Sequence, residues 1–392
     1  MHEYWRQWVI QKAEEYEQQI VALSRAIYLR PELGHEEFFA SQLLADFLEA
    51  QGFKVMRGAA GLPTAFIARY AGRPGGPVVA FLAEYDALPE LGHACGHNLI
   101  GAAAAGAGAI VRGALEHLPG AVLVYGTPAE ETSGAKVTMV EAGAFQGVDA
   151  ALMFHPGNIN AVEISSLAME ALEFAFLGRA AHAVAGAAQG INALEALLLF
   201  FQGVNSLRPY LGDGVRLHGI ISEGGTSPNI IPERAAARFY IRARQAGQLE
   251  LAVRRVKECA QAAAAMVGAS VEWRNFEFSY QRMLSNPVLV ECFKRSLAFL
   301  GISDIAGPRE ALGSIDMGNV SQVVPSIHPY LCLNPQLVPH SREFAIAAGS
   351  REGEEVLLLA VKALALTALE LYLQPFLVTR AWEELHRQAG RR

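Results

Sequence analysis

Three apolar runs constrain this chain more than anything else in it: "PVVAFLAEYDAL" (77–88), "AVLVYGTPAEE" (121–131) and "DAALMFH" (149–155). Helical stretches near 99–117 and 135–142 separate them. Strands that stay apolar throughout and alternate with helices need cover on both faces. That predicts an α/β unit with a largely parallel sheet flanked by helices. A fourth run, "TAFIARY" (64–70), reads as another strand, and the spacing of apolar residues over 5–29 and 36–52 predicts two further helices. The Ala/Gly-rich stretch 99–113 has a thin surface, suited to close packing on a sheet.

The three runs also end alike. They close at Asp86, at Glu130 and Glu131, and at His155. Open parallel sheets form their sites beyond the carboxyl ends of the strands. The loop "GHACGHN" (92–98) follows the first run and precedes a helix, which adds His93, Cys95 and His97 to the same edge. Thiolate, imidazole and carboxylate together suit a borderline ion such as Zn²⁺, with Mn²⁺ or Co²⁺ as alternatives. Of two adjacent glutamates, one can ligate while the other, pointing elsewhere, takes a proton from an activated water. Cys95 beside His97 also fits a thiol nucleophile, but that reading leaves Glu130, Glu131 and His155 without a purpose.

From about 166 the texture changes. "AMEALEFAFLGRAAHA" alternates like a strand with one wet face. A helix (190–207), "VRLHGIIS", "AAARFYIRAR", a second helix (248–267) and "SVEWRNFEFSY" follow. This β-α-β-β-α-β order is that of a ferredoxin-like α+β sandwich. A chain of 392 residues has room for two such units. The expected organisation is a metal-binding catalytic domain split over 1–165 and 281–392, with an inserted domain at 166–280.

Composition narrows the partners. A net charge of −7 with no basic tract argues against nucleic acid. The four cysteines are scattered and suggest no disulfide framework. The apolar stretch "VLLLAVKALALTALELYL" carries Lys362 and Glu370, and the first residues show no apolar signal region. A soluble cytoplasmic protein without a membrane partner is expected.

The segments "AEYDALPELGHACGHNLIG", "GTPAEE", "FHPG", "GRAAHA", "HGIISEGGTSPNIIPERAAARFYIRA", "GSIDMGNVSQVVPSIHP" and "PHSREF" carry a resemblance. They resemble the aminoacylase/glutamate-carboxypeptidase family of two-metal peptidases. Within it they are similar to the amidohydrolase branch that holds aminobenzoyl-glutamate hydrolase and β-alanyl-lysine dipeptidase-like proteins. The resemblance implies two divalent metal ions per chain, Cys95 bridging them, and His97, Glu131, His155 and the distant His340 as the other ligands. It implies Glu130 as general base and Asp86 as the carboxylate that orients a ligand imidazole. The inserted domain then corresponds to a lid and dimerisation domain of a homodimer. His182 would steady the oxyanion, often in the partner's site, while Asn229 and Arg242 would meet the substrate's carboxylate or carbonyl.

The implied reaction is hydrolysis of the amide bond of a small molecule, a dipeptide or an N-acyl or N-aroyl amino acid. A non-catalytic scaffold of the same fold and a hydrolase of non-peptide amides are the alternatives. Three positions depart from the pattern: Asn98 stands where Asp is common, Ile315 where Thr is common, and Arg30 where His often precedes "PEL". His93 has no ligand counterpart in the pattern.

Overall fold

Only Gly72 separates the strand Phe66–Ala71 from the strand Arg73–Ala83. Parallel neighbours need a crossover of a dozen or more residues, so these two must run in opposite directions. In the computed structural model, which describes residues 3–310 and 313–390, they do. The sheet of the first unit has six strands, in the order Lys54–Arg57, Phe66–Ala71, Pro119–Gly126, Arg73–Ala83, Ala150–Leu152, Ser326–Ile327. The last four run parallel. The first two add an antiparallel margin. The sheet is therefore mixed, with its parallel part confined to the strands that the three apolar runs and a later segment provide. Phe66–Ala71 alternates buried and more exposed residues at its start, as a marginal strand with one wet face does.

This first unit runs to Ser165, resumes at Met283, and includes Asp316 onward. The helix His97–Ala114 lies buried along nearly its whole length. Its small residues make that burial possible. A Cβ on Gly106 would stand 2.6 Å from Ile20, on the helix Glu3–Leu29, and one on Gly108 would stand 2.5 Å from Val124 of the sheet. The helix Arg351–Leu373 packs beside it and against Pro287–Phe299. By length and composition Arg351–Leu373 is apolar enough to cross a membrane, but most of it is buried inside this unit.

The second unit holds Ser166–Arg282 together with 313–315. Its strands Ala168–Leu177, Val215–Glu223, Arg234–Ala243 and Ser270–Asn275 form one antiparallel sheet. Across the sheet the second strand lies at one edge, followed by the third, the first and the fourth, with helices Ala193–Leu207 and Ala246–Val267 as crossovers. That is the ferredoxin-like arrangement. The alternating residues Leu172, Phe174 and Phe176 face the helices and meet Phe200 and Phe239. Ring centroids lie 4.9 Å apart for Phe174–Phe200 and 5.2 Å for Phe200–Phe239. Such pairs each add about 1 kcal/mol beyond the area they bury.

Candidate metal centre

Each of the four parallel strands of the six-stranded sheet delivers polar groups at its carboxyl end. Arg73–Ala83 leads into Glu84 and Asp86, Pro119–Gly126 into Glu130 and Glu131, and Ala150–Leu152 into His155. Ser326–Ile327 leads into His328. The loop after the first strand turns into the helix His97–Ala114 at Gly96, whose φ of 77° favours glycine. A Cβ there would stand 2.5 Å from the Pro156 ring, so the glycine also lets Cys95 come close to His155.

The side chains converge on Cys95. Its Sγ lies 3.3 Å from His155 Nε2 and 3.3 Å from His340 Nε2. His340 Nε2 in turn lies 3.2 Å from Glu131 Oε1. Cys95, His97 and His155 form one group whose ligand atoms all fall within 4.8 Å of one another, and Cys95, Glu131 and His340 form a second. His97, Glu130 and Glu131 form a third. Cys95 thus belongs to two groups, and Glu130 stands beside both through His97 and Glu131.

Asp86 ties the arrangement together. Its Oδ1 is 2.8 Å from His97 Nδ1, and its Oδ2 accepts the Glu131 backbone N–H at 2.9 Å. His97 faces Asp86 through Nδ1 and leaves Nε2 fully buried without a hydrogen-bond partner; although burial opposes it, Asp86 and Cys95 hold the metal-free imidazole well above the ordinary histidine range. Glu131 Oε1 is also buried and is ion-paired to His340 Nε2 at 3.2 Å. A buried polar atom left without a hydrogen bond, as His97 Nε2 is, costs about 1–3 kcal/mol. A divalent cation held by Cys95, His97, Glu131, His155 and His340 would satisfy it, and the S, N and O donors suit such an ion. The residues present therefore fit a metal.

Charge balance at the site follows from burial. Burial pushes the Cys95 thiol well above its ordinary range, and the Glu131 charge adds to this. Burial likewise raises Glu130 far above a normal carboxyl, helped by Glu84, Asp316 and Glu131. Burial would raise Glu131 too, but His340 and His97 outweigh it and bring it to about 2. Burial and the neighbouring His97 lower His155 to about 4.

Three groups at this edge escape a reading of the sequence by spacing. Glu84 places Oε2 3.6 Å from His97 Nε2. Its other oxygen pairs at 2.7 Å with Nζ of Lys136, fully buried, which also pairs with Asp316 at 2.7 Å. His328 is buried against His155 and Tyr330, and neither ring nitrogen has a hydrogen bond. Parity was the available signal for Glu84, two residues before Asp86. For Lys136 it was a lone cation in the apolar stretch "GAKVTMV".

The remaining candidates separate clearly. His93 is buried, with its Nε2 3.1 Å from the Ile27 carbonyl, and belongs to none of the three ligand groups. Asn98 donates from Nδ2 to Ser24 Oγ at 3.0 Å and to the Ala348 carbonyl at 3.1 Å. An aspartate could donate neither bond, which accounts for this departure. Arg30 covers the Phe39 ring at 4.6 Å. In the second unit, Ala181–His182 pairs with Ile230–Ile231, and this ribbon brings His182 and Asn229 together. His182 is exposed, and its Nδ1 accepts the N–H groups of Val184 and Ala185 at 3.2 Å. Arg242 lies instead on the four-stranded sheet, over the Tyr240 ring at 5.4 Å.

Solved structures share this architecture. A putative aminohydrolase from methicillin-resistant Staphylococcus aureus superposes with a TM-score of 0.79 at 19% identity, covering 94% of this chain and 100% of its own. A dinuclear metal-binding peptidase from Bacillus subtilis gives 0.69 at 21% identity, covering 91% and 99%. At such identities the likeness is one of fold alone. Sequence relatives are nearer. The Xaa-Arg dipeptidase of Mus musculus is 38% identical over 383 residues, 94% of this chain and 89% of that protein. One polypeptide of the p-aminobenzoyl-glutamate hydrolase of Escherichia coli K12 is 35% identical over 305 residues, 72% of this chain and 63% of that polypeptide.

Fold, donor set and relatives together define a metal-dependent hydrolase of peptide or amide bonds. Residues 80–369 match the model of peptidase family M20/M25/M40, and the chain belongs to that family.

Proposed function

We propose that this hydrolase cleaves the amide bond of a dipeptide or an N-acyl amino acid bearing a free carboxylate, with Glu130 as general base. One observation carries the reading: two ligand groups share Cys95, and Glu130 stands next to both. Cys95 would bridge two divalent ions, with His97 and His155 completing one site and Glu131 and His340 the other. Zn²⁺ or Mn²⁺ suits the mixed S, N and O donors, with Co²⁺ as a further option. When bound, such a pair supplies Lewis acidity that polarises the scissile carbonyl and makes a water easier to deprotonate.

The protein's own groups then move the proton. Glu130 takes it from the attacking water and returns it to the leaving amine. Asp86 keeps His97 in the tautomer that offers Nε2 to an ion. Exposed His182, whose Nδ1 is engaged by backbone N–H groups, offers an Nε2–H to the developing oxyanion. Asn229 and Arg242 would meet the substrate's carboxylate or carbonyl, Arg242 through its planar fork. The names of the relatives favour dipeptides with a C-terminal Arg, followed by aminobenzoyl-glutamate. A homodimer formed through the second unit, acting in the cytoplasm on small molecules and on neither nucleic acid nor membrane, completes the proposal.

Glu130→Gln tests it. The variant should hold its metal like the parent while kcat falls by about 10²–10⁴-fold. A metal-loaded variant keeping more than about a tenth of the parent turnover would remove Glu130 from the role. A hydrolysis screen with Mn²⁺ and Zn²⁺ over Xaa-Arg dipeptides, β-alanyl dipeptides, hippurate-like compounds and aminobenzoyl-glutamate would fix the substrate.

A further inference from the structure

The turn that carries Glu130 rests on a residue in an unfavourable conformation. Ala129 has φ 59°, in the left-handed region, which costs a residue with a Cβ about 1–2 kcal/mol. Such a conformation persists only where the surroundings hold it. The Ala129 carbonyl accepts the N–H groups of Ser133 and Gly134 at 3.1 and 2.8 Å. Its N–H donates to Glu37 Oε1 at 2.7 Å. Glu37 is fully buried. Its Oε2 accepts the Thr64 hydroxyl at 3.0 Å, and the Thr64 carbonyl accepts the Tyr85 hydroxyl at 2.5 Å.

Glu37 does not act alone. It ends the stretch "ELGHEE" (32–37), which lies against the turn 129–134 at several points. His35 Nε2 is 2.5 Å from Ser133 Oγ. A Cβ on Gly34 would overlap Thr132 Oγ1 and stand 3.0 Å from Ala129 Cα. Glu32 anchors the stretch from behind, its two oxygens accepting the N–H groups of Phe39 and Ala40 at 3.0 and 2.9 Å.

The chain around Glu130 is therefore pinned by two carboxylates. Glu37 takes the N–H of the residue before it, and Asp86 takes the N–H of the residue after it. We propose that Glu37 is a positioning residue for Glu130: it holds Ala129 in the left-handed conformation and so aims the base. This rests on Glu130 being the base. Because Asp86 holds Glu131 separately, loss of Glu37 should release Glu130 and leave the ligands in place. Burial raises the Glu37 carboxyl to about 7. Near neutral pH a glutamine amide is thus a fair isosteric substitute.

The test uses the metal-loaded full chain. Glu37→Ala should lower kcat about 10²-fold, as a 1 Å misplacement can, with KM and metal content near the parent's. Glu37→Gln, whose amide oxygen still accepts the Ala129 N–H, should stay within about tenfold of the parent. Adding Ala129→Gly to Glu37→Ala should recover about tenfold in kcat, because glycine needs no support at that φ. Amide hydrogen exchange over 127–134 should quicken in Glu37→Ala, a readout independent of what Glu130 does chemically. Should Glu37→Ala not fold, Glu37→Asp, one methylene short of Ala129, takes its place with the same expected outcome.

Two results would overturn the proposal: unchanged exchange with kcat within about threefold of the parent in Glu37→Ala, or Glu37→Gln as impaired as Glu37→Ala. Quickened exchange together with an active Glu130→Gln would leave the brace standing and sink the base assignment instead.

Discussion

The two ligand groups that share Cys95 are built differently. Cys95, His97 and His155 are all buried. His97 is locked by Asp86, and His155 Nδ1 is held 2.7 Å from the Pro156 carbonyl. In the other group Glu131 is partly exposed and the His340 side chain is 52% exposed. His340 also sits at φ 66°, held by its N–H to the Ala94 carbonyl at 2.9 Å. The inner group is prearranged before an ion arrives. The outer group is open to solvent and depends on one strained backbone position. In the proposed two-ion centre, the buried group would be the tighter seat and the open group the more exchangeable one.

The sharpest way to break this picture is at the residue the two groups share. Cys95→Ala should leave less than about one ion per chain after dialysis, where a two-metal centre holds about two, and turnover should fall to background. Retention of one tightly held ion would show that the groups do not depend on a common thiolate. Next in size comes the contrast between His97 and His340, read by denaturant unfolding of metal-stripped protein. His97→Ala leaves buried Asp86 without its imidazole and should cost about 3 kcal/mol. His340→Ala removes a half-exposed partner of Glu131 and should cost about 1 kcal/mol or less. Equal costs would erase the distinction between inner and outer group.

The smallest effect is a titration of the metal-free protein followed by imidazole NMR. His155 should titrate near 4, because burial and then His97 disfavour its charged form. His340 should titrate above 6.5, because Glu131 favours its charged form. The signs are opposite. The His155 contribution to stability is present above 6.5 and lost as pH falls toward 4. That of His340 is present below 6.5 and fades as pH rises through its raised value. Coincident titrations near 6.5 would remove the electrostatic difference between the groups.

Much of the parallel sheet could be read from the chain, because strands covered on both faces are apolar throughout and each ends in a conspicuous acid or histidine. The antiparallel margin was harder to read, since its direction follows from the single-residue link at Gly72 and not from any pattern of side chains. Asp86, Glu130, Glu131 and His155 share an edge because strand ends share an edge. His340 obeys no such rule. It reaches the centre by a tertiary bond to Ala94, which no local spacing encodes, and only the family resemblance pointed to it. Glu84, Lys136 and Asp316 form a buried charge network that depends on segments far apart in sequence. His328 follows the same strand-end rule as His155, and the short run "SIHPYLCL" hides it.

The helix His97–Ala114 has a consequence for how sequences of this kind can drift. Its glycines meet Ile20, Val124 and the Glu84 carbonyl on different sides, each within 2.9 Å of where a Cβ would go. Random substitution along it should be purged on several faces at once, while the exposed ribbon positions that flank His182 and Asn229 have space to vary. Libraries aimed at new substrates would therefore lose most of their members in this helix and should concentrate on the ribbon.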